Sequence, residues 1–118
     1  MSVSAAQATT FYEQAVRDGR VFTFEAPDGL LVFLIRDVEV VPFWSSRGRL
    51  DKIQKEKPKY ASYGIQETPF DEFYSKTLPW LEEQGIHIGV NWSGESLTGY
   101  DLSVSDLRAN LDYWKAKK

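Results

Sequence analysis

The chain has 118 residues, a net charge of −3 and no cysteine. A length of this order makes one domain, taken here as residues 1–118, that buries roughly two-thirds of its unfolded surface. The missing thiols exclude disulfides, cysteine catalysis and thiolate metal centres, and the acidic balance disfavours nucleic-acid binding, which needs a cationic surface.

Hydrophobic residues at 42% and aromatics at 14% are enough for a packed core. The first residues, MSVSAAQATTFYEQ, have neither the basic start nor the apolar centre of a secretory signal. The longest apolar run, Leu30 to Ile35, is too short to span a bilayer. A soluble, cytoplasmic protein with no membrane partner is expected.

Helical periodicity comes first. Ala8, Phe11, Tyr12, Ala15 and Val16 recur on one face, and Gly19 ends the helix. VFTFEA reads as a strand, followed by the turn Pro27-Asp28-Gly29. LLVFLI, apolar at every position, reads as a central strand covered on both faces. Arg36-Asp37 turns the chain into VEVVPF, completing a three-stranded antiparallel meander. Pro42 cannot donate to a ladder, so pairing ends there or Pro42 lies at an edge.

Ser45 or Ser46 caps a helix over about 46–57 with Leu50 and Ile53 facing inward, and Lys57-Pro58 ends it. Tyr60 to Glu67 alternates as a strand with one wet face. Thr68-Pro69-Phe70-Asp71 is a helix start, with Thr68 as cap and Pro69 at the first helical position. Phe70, Phe73, Tyr74, Thr77 and Leu81 form its inner face, Pro79 imposes a kink or restart near Leu78, and Gly85 stops it.

Ile86 to Trp92 alternates, with Ile86, Ile88, Val90 and Trp92 on one face and His87, Gly89 and Asn91 on the other. Gly89 marks a bulge or a close backbone approach. Tyr100 to Leu102 pairs with this strand through a Ser93-Gly94-Glu95 loop. Ser103 then caps a last helix with an apolar stripe of Val104, Leu107, Leu111 and Trp114, fraying over Lys115–Lys118. The order implies an α+β fold: a mostly antiparallel sheet of about five to six strands covered by about four helices.

The charge is uneven. Residues 36–59 hold seven cations against four acids, while the flanking segments are acidic. Such a stretch is either a solvated helix face or a steering patch for an anionic partner. Within it, VVPFWSSRGR places Trp44 at a turn and Ser45, Arg47 and Arg49 about a helix start, where free N–H groups and hydroxyls suit a carboxylate or phosphate. The alternative is a capped helix with solvated arginines and a tryptophan plugging the core. Asn91 and Trp92, at a strand end, are candidates for the same contact face or for a lid on the core.

Catalytic and cofactor signals are weak. His87 is the one histidine, and its neighbours supply neither nucleophile nor orienting acid. The pairs Asp71-Glu72 and Glu82-Glu83 point about 100° apart on a helix and do not converge. The glycines match no phosphate-loop spacing. No catalytic residue, metal ligand or cofactor is assigned.

Three landmarks in order, Pro42-Phe43-Trp44-Ser45, Leu78-Pro79-Trp80-Leu81 and Val90-Asn91-Trp92, resemble the bacterial domain-of-unknown-function family 2750 over residues 20–112. The N-terminal helix (1–19) and the helix end with its basic tail (113–118) flank that core. Arg47-Gly48-Arg49 departs from the small residue the pattern carries after Trp-Ser. The resemblance implies a small cytosolic α+β protein and supplies no activity. The VVPFWSS turn also looks like the strand-to-helix element of SseB-type domains linked to secretion and enhanced serine sensitivity.

The functional expectation is a non-enzymatic binding protein that recognises a protein partner through Trp44, Ser45, Arg47, Arg49, Asn91 and Trp92, with toxin neutralisation or a secretion-associated role as versions of it. Edge-strand pairing or aromatic patches would also allow a homodimer. The alternatives are a sensor of a small anion at the Ser45–Arg49 helix start and, third, a carboxylate-based enzyme.

Overall fold

In the computed structural model of the protein, which describes residues 2–117, the chain begins with α1 (Val3–Asp18). Ser2 caps it by accepting the Ala5 N–H, and Gly19 closes it in a left-handed conformation. The strands are β1 (Arg20–Ala26), β2 (Gly29–Leu30), β3 (Phe33–Ile35), β4 (Val38–Phe43), β5 (Gly64–Pro69), β6 (His87–Val90) and β7 (Asp101–Leu102). Helix α2 (Arg47–Glu56) follows β4, and a short 3-10 turn (Pro58–Tyr60) precedes β5. Between β5 and β6 lie α3 (Phe70–Glu72), a π-helical turn (Phe73–Thr77) and α4 (Leu78–Glu83). Helix α5 (Val104–Lys117) ends the described chain.

The expected α+β architecture is present, arranged as two sheets: β2-β1-β5, all antiparallel, and β3-β4-β6-β7, in which β4 and β6 run parallel. The expected meander is therefore divided between them. LLVFLI is not a central strand: it breaks at Leu31-Val32 and contributes an edge to each sheet, leaving Val32 42% and Leu34 68% exposed.

Pro42 accounts for the division. Phe22 and Trp44 exchange two backbone hydrogen bonds of 2.8 Å, joining β1 to the end of β4. In an antiparallel ladder the next hydrogen-bonded pair would be Phe24 with Pro42, and Pro42 has no N–H to give. The strands part there. Thr23 donates its hydroxyl to the Pro42 carbonyl at 2.7 Å, and the Phe24 carbonyl accepts from Leu31 instead. The ladder with β6 is unaffected, and Pro42 pairs with Gly89 inside it.

Two apolar clusters occupy opposite faces of this layer. One packs α1, α3, α4 and α5 against Val41, Phe43, Ile86, Ile88 and Val90. The other gathers Phe22, Phe24, Trp44, Leu50, Ile53, Tyr60, Trp92 and Leu97 beneath α2 and the 91–99 loop. Phe24 sits at its centre, edge-on to Trp44 at 5.3 Å and stacked on Tyr60 at 5.8 Å.

Local expectations are corrected at four places. Tyr60 belongs to the 3-10 turn, so β5 begins at Gly64. Thr68 does not cap a helix: it is buried in β5 opposite Val21, and Pro69 holds the cap position with no side-chain bond. The restart expected near Leu78, by contrast, is present: a π-helical turn ends at Thr77, its Leu78 N–H reaching the Phe73 carbonyl, and α4 begins at Leu78 with Pro79 in its first turn. Trp92 leaves the face of Ile88 and Val90, because Asn91 adopts φ 51° and turns the chain over. The expected frayed tail is helical through Lys117, with Lys115 Nζ over the Tyr74 ring at 4.3 Å; Lys118 lies outside the described residues.

Candidate functional site

Four of the six candidate side chains form a buried network. Trp44 is wholly buried and donates its indole N–H to the Trp92 carbonyl at 2.8 Å. Trp92, 3% exposed, donates its own to the Tyr100 carbonyl at 2.9 Å. Its ring lies against Gly89 and Gly99, where an added Cβ would come within 2.5 Å and 2.7 Å of indole carbons. The close approach expected at Gly89 is thus to an aromatic ring.

Asn91 is the hub. Its amide nitrogen donates to Ser45 Oγ (3.0 Å) and the Gln7 carbonyl (3.2 Å), and its oxygen accepts the Ser45 N–H at 2.9 Å. Ser45 Oγ in turn donates to Gln14 Oε1 at 2.7 Å. The network pins α1 to the end of β4, with every polar atom of the Asn91 side chain used. Ser45 is engaged with Asn91 and Gln14 and makes no bond to the start of α2. Ser46 stands at its cap position without a side-chain hydrogen bond.

The two arginines part company. Arg47 is exposed and lies 3.8 Å from Asp51, one helical turn on. Arg49 is partly buried, and burial alone lowers its pKa from the ordinary guanidinium value. Among the described residues no carboxylate lies within ion-pair distance of it. It lines a groove of about 570 Å³ between α2 and the 91–99 loop, shared with the cations Lys52 and Lys57, the acids Glu56 and Glu95, and Gln7, Trp92 and Ser93. Lys57 Nζ donates to the Glu95 carbonyl across the groove, and Ser93 Oγ donates to Gln7 Oε1 at 2.8 Å.

Gln7, Gln14, Lys52, Lys57 and Ser93 were not singled out from sequence. Gln7 and Gln14 stand seven residues apart, two turns along one helical face, and that spacing was the available signal. His87 acquires an acid that sequence proximity did not offer: Nδ1 lies 3.4 Å from Asp101 Oδ2, and Arg36 lies 3.8 Å from the other oxygen.

The fold and this site define an α+β protein of two sheets joined at one bridge, with a saturated polar network below a groove lined by three cations and two acids. Its sequence matches the family described as "Protein of unknown function (DUF2750)" over residues 8–111, and the chain belongs to that family. The match begins inside α1, upstream of the landmarks read from the sequence. No curated protein matches the chain. Among the described residues no helix is long and apolar enough to cross a membrane.

Proposed function

We propose that the protein is a cytosolic, non-enzymatic interaction protein that receives an acidic segment of a partner protein in the groove between α2 and the 91–99 loop. Arg49 carries this reading. A guanidinium partly withdrawn from water without a counter-charge is unfavourable in the free protein, and a partner carboxylate would complete it. Arg49, Lys52 and Lys57 outnumber the two acids of the groove, Glu56 and Glu95, by one charge, and Trp92 forms part of the floor. Trp44, Ser45 and Asn91 are scaffold in this reading, and Arg47 is peripheral to it.

The test is a titration of isotopically labelled protein, followed by amide chemical shifts, with a glutamate-rich peptide and with inorganic phosphate. The peptide is expected to shift Arg49, Lys52, Lys57 and Ser93 saturably, with affinity falling as salt rises. The folded Arg49→Ala/Lys52→Ala variant should lose the response. Equal binding by that variant, or phosphate matching the peptide, would overturn the proposal.

A further inference from the structure

We infer that β5 is a self-pairing edge: two copies of this chain join β5 to β5, antiparallel, about a two-fold axis at Gln66, and merge their β2-β1-β5 sheets into one of six strands.

The two sheets end in four edge strands. Three of them, β2, β3 and β7, are stubs of two or three residues. Short edges are a common protection against unwanted pairing. The fourth, β5, is six residues long and pairs with β1 in continuous register. Gly64, Gln66, Glu67 and Pro69 are exposed along it, and no lysine guards it.

The free side of β5 follows from the bonded side. The Phe70 N–H donates to the Gly19 carbonyl, and Phe22 bonds away from β5 to Trp44. Alternation along the antiparallel ladder then turns Gly64, Gln66 and Thr68 toward β1, and Ile65, Glu67 and Pro69 outward. The backbone groups of Ile65 and Glu67 face no strand and make no hydrogen bond among the described residues. Both ends of this open stretch are closed. Pro69 has no N–H to give. Tyr63 is already engaged, donating its N–H to the Tyr60 carbonyl and accepting from Gln54 at its own.

A second copy is the occupant because this edge is its own complement. Only outward residues exchange hydrogen bonds across a new ladder, which leaves three two-fold registers. Opposing Ile65 to itself sets Glu67 against the engaged Tyr63. Opposing Glu67 to itself brings two carboxylates together and sets Ile65 against Pro69, which cannot donate. Opposing Ile65 to Glu67 uses both donors and both acceptors of each copy, in four backbone hydrogen bonds. That register lays Gln66 against Gln66 at a close pair, where each amide can both donate and accept. Each Glu67 keeps Arg20 at 3.5 Å as its counter-charge and stands across from an apolar side chain.

The absence of native cysteine allows a direct test by cross-linking. Gln66→Cys sets two thiols at a close antiparallel pair, within reach of a disulfide, whereas Glu67→Cys sets them on a diagonal beyond it. In a glutathione buffer the first variant should form the covalent dimer roughly tenfold faster than the second. Sedimentation equilibrium of the unaltered protein should show a dimer with a dissociation constant on the order of 100 μM, in keeping with a small interface. Glu67→Pro removes an N–H that the single copy does not use, so it should keep the circular dichroism spectrum and weaken the dimer by roughly tenfold or more. Gln66→Lys and Gln66→Glu should each associate about fivefold more weakly alone and recover when mixed, because the axis sets each charge against its own copy. A monomer up to about 1 mM, equal cross-linking at the two positions, or charge variants that associate as well alone as mixed would each overturn the inference.

Discussion

The two faces of the 91–99 loop treat polarity in opposite ways. Beneath it, Asn91, Ser45, Gln7 and Gln14 are buried or partly buried and linked by hydrogen bonds of 2.7–3.2 Å. Beside it, Arg49 is partly buried, and among the described residues no carboxylate lies within ion-pair distance of it, although Glu56 and Glu95 line the same groove. The first arrangement holds the fold together, because each group would be expensive to bury alone. The second contributes little to folding and leaves an interaction to be made. Polar residues only four positions apart, Ser45 and Arg49, thus divide between structure and recognition.

The sharpest way to break this contrast is at the hub. Asn91→Ala strands the Ser45 N–H and removes the donor to Ser45 Oγ, and it places alanine at φ 51°. A loss of about 3 kcal/mol is expected in urea unfolding. Asn91→Gly keeps the hydrogen-bond loss while accepting the backbone, and should recover about 1 kcal/mol of it. A loss below that recovered amount would show the network to be dispensable.

A smaller effect is expected where the loop is wedged into the core. Gly89→Ala drives a methyl to 2.5 Å from the Trp92 indole, a rigid ring held at both ends. Thermal unfolding should report a destabilisation of about 2 kcal/mol. A neutral result would mean that the indole can move, and with it the floor of the groove.

The least effect belongs to the groove itself. Arg49→Leu removes a partly desolvated charge that has no partner, so stability should stay within about 0.5 kcal/mol or rise. A clear loss of stability would place Arg49 with the network and erase the distinction.

What the sequence made legible follows from locality. The inner face of α1, the inward Leu50 and Ile53, and the stripe on α5 are periodic patterns written in one segment each, and they are buried as read except for Trp114, which is half-buried at the end of its stripe. The family landmarks were legible for the same reason. The division of LLVFLI was not, because its cause lies in another strand: Pro42 withholds one donor from β1, and the Leu30–Ile35 run has to serve two edges. The face of Trp92 was misread because alternation assumes an extended Asn91. At the candidate site, residue types were found but not their accessibility. Trp44 and Arg49 are five positions apart, and no pattern in that stretch says that one is sealed and the other open.

Pro42 also governs the shape of the far side. Because its ring nitrogen carries no hydrogen, β1 and β4 zip for one step and then diverge, and the gap between them is kept open by covalent chemistry rather than by a bound guest. The hollow lined by Thr23, Leu30 and Phe43 therefore preexists any occupant.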